Sequence, residues 1–438
     1  MTTMRYLQFL ACSLWVCLLP VGTRAQSYTS WFNGDTSDVV TTPQQGVLLA
    51  GGGTDNDDAM RWMLHRASGG DVVIIRASGS NGYNDYLYSE LGETVNSVQT
   101  IRFDGATAAQ DAYVIQQIRN AKALFLAGGD QYDYYLYWKD TPVEDAINYL
   151  INEKHAVVGG TSAGMAVLSE AYYTPSGSGI MSPQALANPY HPSMNILGHG
   201  DFIINPLLAN VITDTHYEQR SRKGRHVAFM ARIANASGQR MYGIACNETV
   251  AVGIDEQGIA HVFGDAANDH AFFLQSSCRD TFLPEVLQPN QPLTWSIDST
   301  AVWVCKIPGT AAGNHTFDLN DWETQTGGSW EYWSAHNGTL LIREAPGSNC
   351  LGNINAVEDF LIGKPIKVYP NPVRDFLRIE NHSGSPIEAL WLSDCFGRTL
   401  RNWEGIEQQL DLTDLHPGHY RLSYILKGNL YGQHVLKF

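Results

Sequence analysis

The sequence predicts an α/β protein built on a mostly parallel sheet covered on both faces, then a β-rich extension and a small C-terminal β-sandwich. Three observations carry this. From residue 46, short unbroken apolar runs alternate with helical segments, the pattern of strands buried on both sides. Several of those runs end in glycine-rich turns. After about residue 275 the helical segments stop, and the last seventy or so residues alternate polar and apolar with period two.

The elements follow in order. "GVLLAGGG", from Gly46, reads as a buried strand ending in a glycine turn. "DNDDAMRWMLHRAS" reads as a helix whose acidic first turn suits the helix dipole. "DVVIIRAS" is a strand, "NDYLYSELGE" helical, "VQTIRF" a strand and "AAQDAYVIQQIRNA" a helix. "ALFLAGGD", "PVEDAINYLINEK" and "AVVGG" repeat strand, helix, strand. Ligands in such sheets sit at the carboxyl ends of the strands. The turns at Gly51-Gly52-Gly53, Gly128-Gly129 and Gly159-Gly160 all lie there. "PLTWSIDSTAVWVCKIPG" and "NGTLLIRE" read as β-rich segments of a region from 276 to 355. Residues 356–365 read as a linker and 366–438 as the sandwich; no internal repeat or low-complexity tract interrupts the chain.

Charge narrows the partners. The 438 residues carry 44 Asp and Glu against 28 Lys and Arg, a formal charge of −16. That field repels polyanions and argues against nucleic acid or an anionic membrane as partner. Residues 1–25 read as a signal peptide: Arg5 as the positive start, an apolar core from Tyr6 to Leu19, and Thr23-Arg24-Ala25 as a small-x-small cleavage site. No later segment is long and apolar enough for a stable membrane span. Cys12 and Cys17 would leave with the leader. Cys246, Cys278, Cys305, Cys350 and Cys395 remain, without a CxxC, so no zinc site and no other metal or cofactor is expected. One or two disulfides would suit an exported chain, with the pairing left open.

The stretch "VVGGTSAGMAV", Val157 to Val167, places one serine between small residues where a buried strand ends. Gly160-Thr161-Ser162-Ala163-Gly164 fits G-x-S-x-G, in which a tight turn projects a hydroxyl and the neighbours must lack bulk. The turn is expected to open a helix, with the Ala163 amide at its N-terminus facing a developing oxyanion. A plain strand-helix turn with a capping serine has the same pattern. A nucleophilic serine needs a base and an orienting group. His216 follows an apolar strand end in "VITDTHYEQRSRKGRHVAF", with Arg220, Arg222 and Arg225 behind it. On one helix Arg222 and Arg225 would share a face and Arg220 would not; a loop turning into a helix could aim all three at a carboxylate. A solvated basic stretch is the plainer reading. "AGGDQYDYYLYW" offers a second oxyanion donor, an amide at Gly129 or Asp130, and a polar reader, Gln131. The aromatics Tyr134, Tyr135 and Trp138 share its helical face and read as core.

Together "GGTSAGMAV", "AGGDQ" and "DTHYEQRSRKGR" resemble the cyanophycinase family, serine peptidases related to peptidase E, over roughly residues 44–275. The resemblance implies a flavodoxin-like, class I glutamine-amidotransferase-like three-layer sandwich. It implies Ser162 as nucleophile, His216 as general base and Glu248, in "GIACNETVAVGID", as third member; Cys246 and Asn247 replace residues usual there. Gly129, Asp130 and Ala163 would form the oxyanion hole, and Gln131, Asp214, Thr215, Arg220, Arg222 and Arg225 would line the substrate pocket. The implied substrate is cyanophycin, a polyaspartate bearing arginine, or other α- or β-aspartyl peptides and isopeptides. The order Ser, His, Glu separates the chain from α/β-hydrolases, which run Ser, Asp or Glu, His. A base at His261 or His270 would revive that fold, and a binding protein keeping the pocket without turnover is a further alternative. The last module, with "VYPNPVRDFLRIE", "CFGRTL" and "LTDLHPGHYRL", resembles a type IX secretion sorting domain of Bacteroidetes type. It implies export across both membranes to the medium or the cell surface, with the secretion machinery as partner. An oligomer is neither required nor opposed.

Overall fold

The computed structural model describes residues 26–438 apart from 266–268, 280, 348–365, 372, 382–383, 395–397, 404–408, 427–428 and 438. The leader read at 1–25, the linker read at 356–365, and Cys350 and Cys395 lie outside the described residues. Two compact units divide at residue 350.

The first unit begins as the alternation predicts. Five parallel strands stand in the order Ser97–Phe103, Asp71–Arg76, Ala123–Leu126, Val157–Thr161, Gly46–Ala50. Their apolar residues are buried throughout, because helices cover them. The helices start where side chains can cap them. Asn56 accepts from the Ala59 amide at 3.0 Å ahead of Asp57–Arg66, and Asp111 from the Tyr113 amide at 2.9 Å ahead of Ala112–Asn120. Thr141 caps Pro142–Asn152, with proline in the first turn where a missing amide hydrogen costs nothing. Antiparallel strands extend the sheet to nine: Tyr28–Gly34 on one side, and Ala251–Asp255, Ile259–Phe263 and His315–Asp318 on the other.

A second sheet of eight strands is interleaved with the first along the chain. Its order is Thr339–Ala345, Ser329–His336, Val302–Pro308, His270–Ser276, Tyr242–Cys246, Val211–Asp214, Ala171–Tyr173, Leu197–His199. The strands expected as an extension therefore add to the edge of His270–Ser276. The helix Lys223–Ser237 covers this sheet; Val227, Phe229 and Met230 share one core with Ile212, Phe272 and Trp333.

Three local expectations change. "NDYLYSELGE" is a short helix, Gly82–Asp85, running into a π-turn, Tyr86–Glu90. Tyr28–Gly34 is a strand that the alternation did not signal. The turn at Ser162 opens only a 3₁₀ turn, Met165–Val167, and not a helix. The chain instead passes into the strand Ala171–Tyr173, and the Ser169 hydroxyl before it bonds the Ala171 carbonyl at 2.8 Å and Thr213 at 3.1 Å.

The second unit pairs a three-stranded sheet, Ile366–Tyr369, Phe376–Asn381 and Gln409–Asp411, with a four-stranded one, Thr399–Trp403, Ile387–Asp394, Gly418–Leu426 and Asn429–Lys437. Leu377, Ile379 and Leu410 from one sheet and Leu390, Leu392, Leu422 and Val435 from the other form one core, the sandwich expected. No helix among the described residues is long and apolar enough to cross a membrane.

Candidate active site

Three segments meet where the two sheets of the first unit adjoin. Ser162 follows Val157–Thr161 of the nine-stranded sheet, and His216 follows Val211–Asp214 of the eight-stranded one. Glu248 lies on the turn that carries the chain from Tyr242–Cys246 in the second sheet back to Ala251–Asp255 in the first. The Gly51-Gly52-Gly53 turn lies between them. Its backbone ties all three: Ala50 O accepts from the Ser162 amide at 3.0 Å, Gly51 O from the His216 amide at 2.8 Å, and Gly52 O from the Thr249 amide at 3.0 Å.

Side chains complete a relay. Ser162 Oγ lies 2.8 Å from His216 Nε2, and His216 Nδ1 lies 2.6 Å from Glu248 Oε1. His216 is 6 % exposed. Burial holds its imidazole below the ordinary value; the Glu248 hydrogen bond opposes that, and Arg220 and Arg222 add to the lowering. His261 instead contacts Asp255 at 3.3 Å and the Gly313 carbonyl at 3.1 Å. The backbone of His270 accepts from the Asn247 amide at 3.1 Å.

The turn is shaped for this. Ser162 has φ of +52° and His216 of +46°, values that L-residues hold only when their surroundings enforce them. A Cβ on Gly164 would stand 2.0 Å from Leu126 O, so only glycine lets the turn pack onto that strand. A Cβ on Gly52 would stand 2.4 Å from His216 Cε1 and 2.6 Å from Nε2. The glycine turn is therefore the seat of the imidazole, a role its sequence signal did not disclose.

The Ala163 and Gly129 amides donate to no backbone carbonyl among the described residues. Asp130 caps the helix Gln131–Trp138, its carboxylate accepting from the Tyr132 amide at 2.9 Å. Gln131 opens that helix half-buried. Tyr134 and Trp138 are core, and Tyr134 donates to the Ala127 carbonyl at 2.6 Å.

The arginines divide. Arg225 is 6 % exposed and binds Asp214 by two bonds, Nε to Oδ2 at 2.8 Å and Nη2 to Oδ1 at 2.6 Å. Burial would raise the Asp214 carboxyl, but Arg225 holds it below its ordinary value. Arg222 donates to the Thr215 carbonyl at 2.9 Å and its hydroxyl at 3.0 Å, and burial brings it down to about 10. Arg220 is exposed, makes no ion pair with a described residue, and is close enough to act on His216. Beneath the serine turn, Tyr83 donates to Asp55 at 2.5 Å, and burial raises that carboxyl. Cys278 is disulfide-bonded, whereas Cys246 and Cys305 are buried free thiols.

Residues 47–262 match the model of peptidase family S51, and residues 367–435 that of the secretion system C-terminal sorting domain. Cyanophycinase of Synechococcus elongatus is 24% identical over 232 residues, 50% of this chain and 66% of that protein, just under two thirds of its length. Cyanophycinase of Trichormus variabilis is 26% identical over 236 residues, 51% of this chain and 73% of its own. Among solved structures, a peptidase from an acI-B1 Actinobacterium matches 52% of this chain and 90% of its own, at 14% identity and a TM-score of 0.38. The sorting domain implies export by type IX secretion, to the medium or the cell surface. Across residues 47–262, just under half of its length, the chain is similar to peptidase family S51 and to the cyanophycinases.

Proposed function

We propose that the protein is an exported serine peptidase that cleaves cyanophycin to β-Asp-Arg dipeptides through an acyl-enzyme on Ser162. The relay of 2.8 Å and 2.6 Å contacts is the observation that carries this reading. His216 Nε2 takes the Ser162 proton as Oγ attacks the scissile carbonyl carbon. The carbonyl oxygen becomes an oxyanion between the Ala163 and Gly129 amides, each donor contributing about 3 kcal/mol of transition-state stabilisation. Because Ser162 opens only a 3₁₀ turn, the Ala163 amide is a local donor without a helix dipole behind it, whereas Gly129 lies just ahead of the helix Gln131–Trp138. His216 returns the proton to the leaving amine, and the bond to it breaks. Water, deprotonated by the same imidazole, then releases the acid and restores the serine. Glu248 holds Nδ1–H throughout and stabilises the imidazolium.

Substrate carboxylates would meet Arg220, which alone of Arg220, Arg222 and Arg225 makes no ion pair with a described residue, and Gln131, Thr215 and the remaining face of Arg222 would line the same pocket. Asp214 and Arg225 neutralise each other and set the backbone of this pocket from behind. Cyanophycin carries nearly balanced charge and can approach a chain of −16 that would repel a bare polyanion. A second reading, other α- or β-aspartyl peptides, draws on the same arginine, which reads a carboxylate and not the rest of the polymer. Incubating the purified exported form with cyanophycin and a panel of aspartyl peptides, with products read by mass, tests both. Release of β-Asp-Arg supports the first; cleavage of the small peptides alone favours the second; no cleavage by a protein that binds the polymer points to a pocket without turnover.

A further inference from the structure

Glu248 is half-buried, its side chain 35% exposed against 8% for His216, and its turn includes Thr249 at φ +65°. A carboxylate on such a turn needs something to hold it within 2.6 Å of His216. The residues before it supply this. Asn247 is 1 % exposed and meets the histidine loop twice: its Oδ1 accepts from the Glu218 amide at 3.1 Å and its Nδ2 donates to Glu218 Oε2 at 2.9 Å. Gln219 Oε1 accepts from the Glu248 amide at 3.1 Å, and the Tyr217 amide donates to the Cys246 carbonyl at 3.2 Å. Glu218 is tethered in turn by Lys223 at 2.7 Å, and Lys223 Nζ stands 5.1 Å over the Phe272 ring and 5.6 Å over Trp333. Trp333 lies on the strand Ser329–His336, beyond the region that matches the peptidase family.

We propose that Asn247 is a positioning residue, whose amide couples the turn carrying the relay carboxylate to the loop carrying the imidazole through Glu218. This rests on the Ser162–His216–Glu248 reading and goes beyond it. The pairing needs an amide at 247. Nδ2 donates to a carboxylate while Oδ1 accepts from a backbone amide, so both ends of one side chain are used. An Asp of the same size keeps the second bond but sets a buried charge against Glu218, and a pair of like charges there pushes the two loops apart.

The test is the rate of Ser162 modification by a fluorophosphonate, which needs no knowledge of the substrate. Wild type and Ser162→Ala give the reference: modification of the first and not of the second. Asn247→Asp should lower the limiting rate of modification roughly 10- to 100-fold, with the half-saturating reagent concentration unchanged, because misplacement by about 1 Å has that effect. The double variant Glu218→Gln with Asn247→Asp reverses the polarity of the pair and should restore the rate. Should Asn247→Asp fail to fold, Glu218→Ala, at a half-buried position, should fold and show the same fall. Wild-type rates in the single variants, or no recovery in the folded double variant, would overturn the inference while the relay stands. No modification of wild type would overturn the relay and the inference with it.

Discussion

Ser162 holds a left-handed backbone without being glycine, strain that typically costs about 1–3 kcal/mol and is found where surrounding packing enforces it. What that geometry supplies is a hydroxyl facing an imidazole whose burial keeps it neutral at a lower pH than a free histidine. The sign of the pH dependence follows. The working base is the neutral ring, so kcat/KM should fall as pH drops through a pKa below the ordinary 6.5. Arg220 contributes to that lowering. Arg220→Ala should therefore move the acid limb of the pH–rate profile to higher pH, with thermal stability unchanged; a limb that stays put would remove Arg220 from the surroundings of His216. Arg225→Ala is expected to behave oppositely. It leaves Asp214, 3 % exposed, with Arg222 at 3.4 Å as its remaining ion partner, so the cost stays below the ~3–5 kcal/mol of a fully unpaired buried charge and should still appear as a fall in Tm. An unshifted Tm would place Arg225 among substrate contacts. Ser162 and His216 were legible in the sequence because each is announced by its own neighbours, small residues around one and a strand end before the other. The division among the arginines was not, because Asp214 reaches Arg225 only after the loop 215–222 has turned back.

At the scale of elements, the alternation of apolar strand and helix announced the five parallel strands, since burial on both faces leaves them mostly apolar, with buried Gln99 and Thr100 as exceptions in Ser97–Phe103. The second sheet was harder to read. Ala171–Tyr173 and Leu197–His199 are three-residue strands, and Val211–Asp214 has four, too short for a period to be recognised. The helix expected after Ser162 failed for a related reason: its apolar run gives no sign that the chain passes after one 3₁₀ turn into the three-residue strand Ala171–Tyr173. The glycine turn at 51–53 looked like a generic strand end and is instead the bed of His216. Gly52→Ala introduces a Cβ 2.4 Å from the ring, at φ +100°, and should cut kcat/KM by about 100-fold or more while far-UV circular dichroism is retained. Wild-type kinetics in that variant would mean that the ring does not rest on this turn.

Across the whole molecule, the proposed catalytic groups sit where two sheets adjoin, and the second of these is completed by residues after 275. Val304, Trp333 and Ala335 share the core with Val227 and Met230 of the covering helix, so the region from 276 to 345 is part of the fold that holds His216. A chain ending at 275 exposes the edge of His270–Ser276 and this core; it should be recovered as aggregate. Removing residues 366–438 deletes a separate unit with its own core and should leave hydrolysis intact while abolishing export. A folded, active chain ending at 275 would contradict the first expectation, and loss of activity on removing the last unit would contradict the second.

The most direct measurement is peptide mapping of the protein after exposure to a fluorophosphonate, at neutral pH, in wild type, Ser162→Ala and His216→Ala. A single adduct on the peptide containing Ser162, absent from Ser162→Ala and strongly reduced in His216→Ala, is the result expected of a hydroxyl activated across 2.8 Å. Equal modification of all three proteins, or an adduct only at another residue, would contradict it.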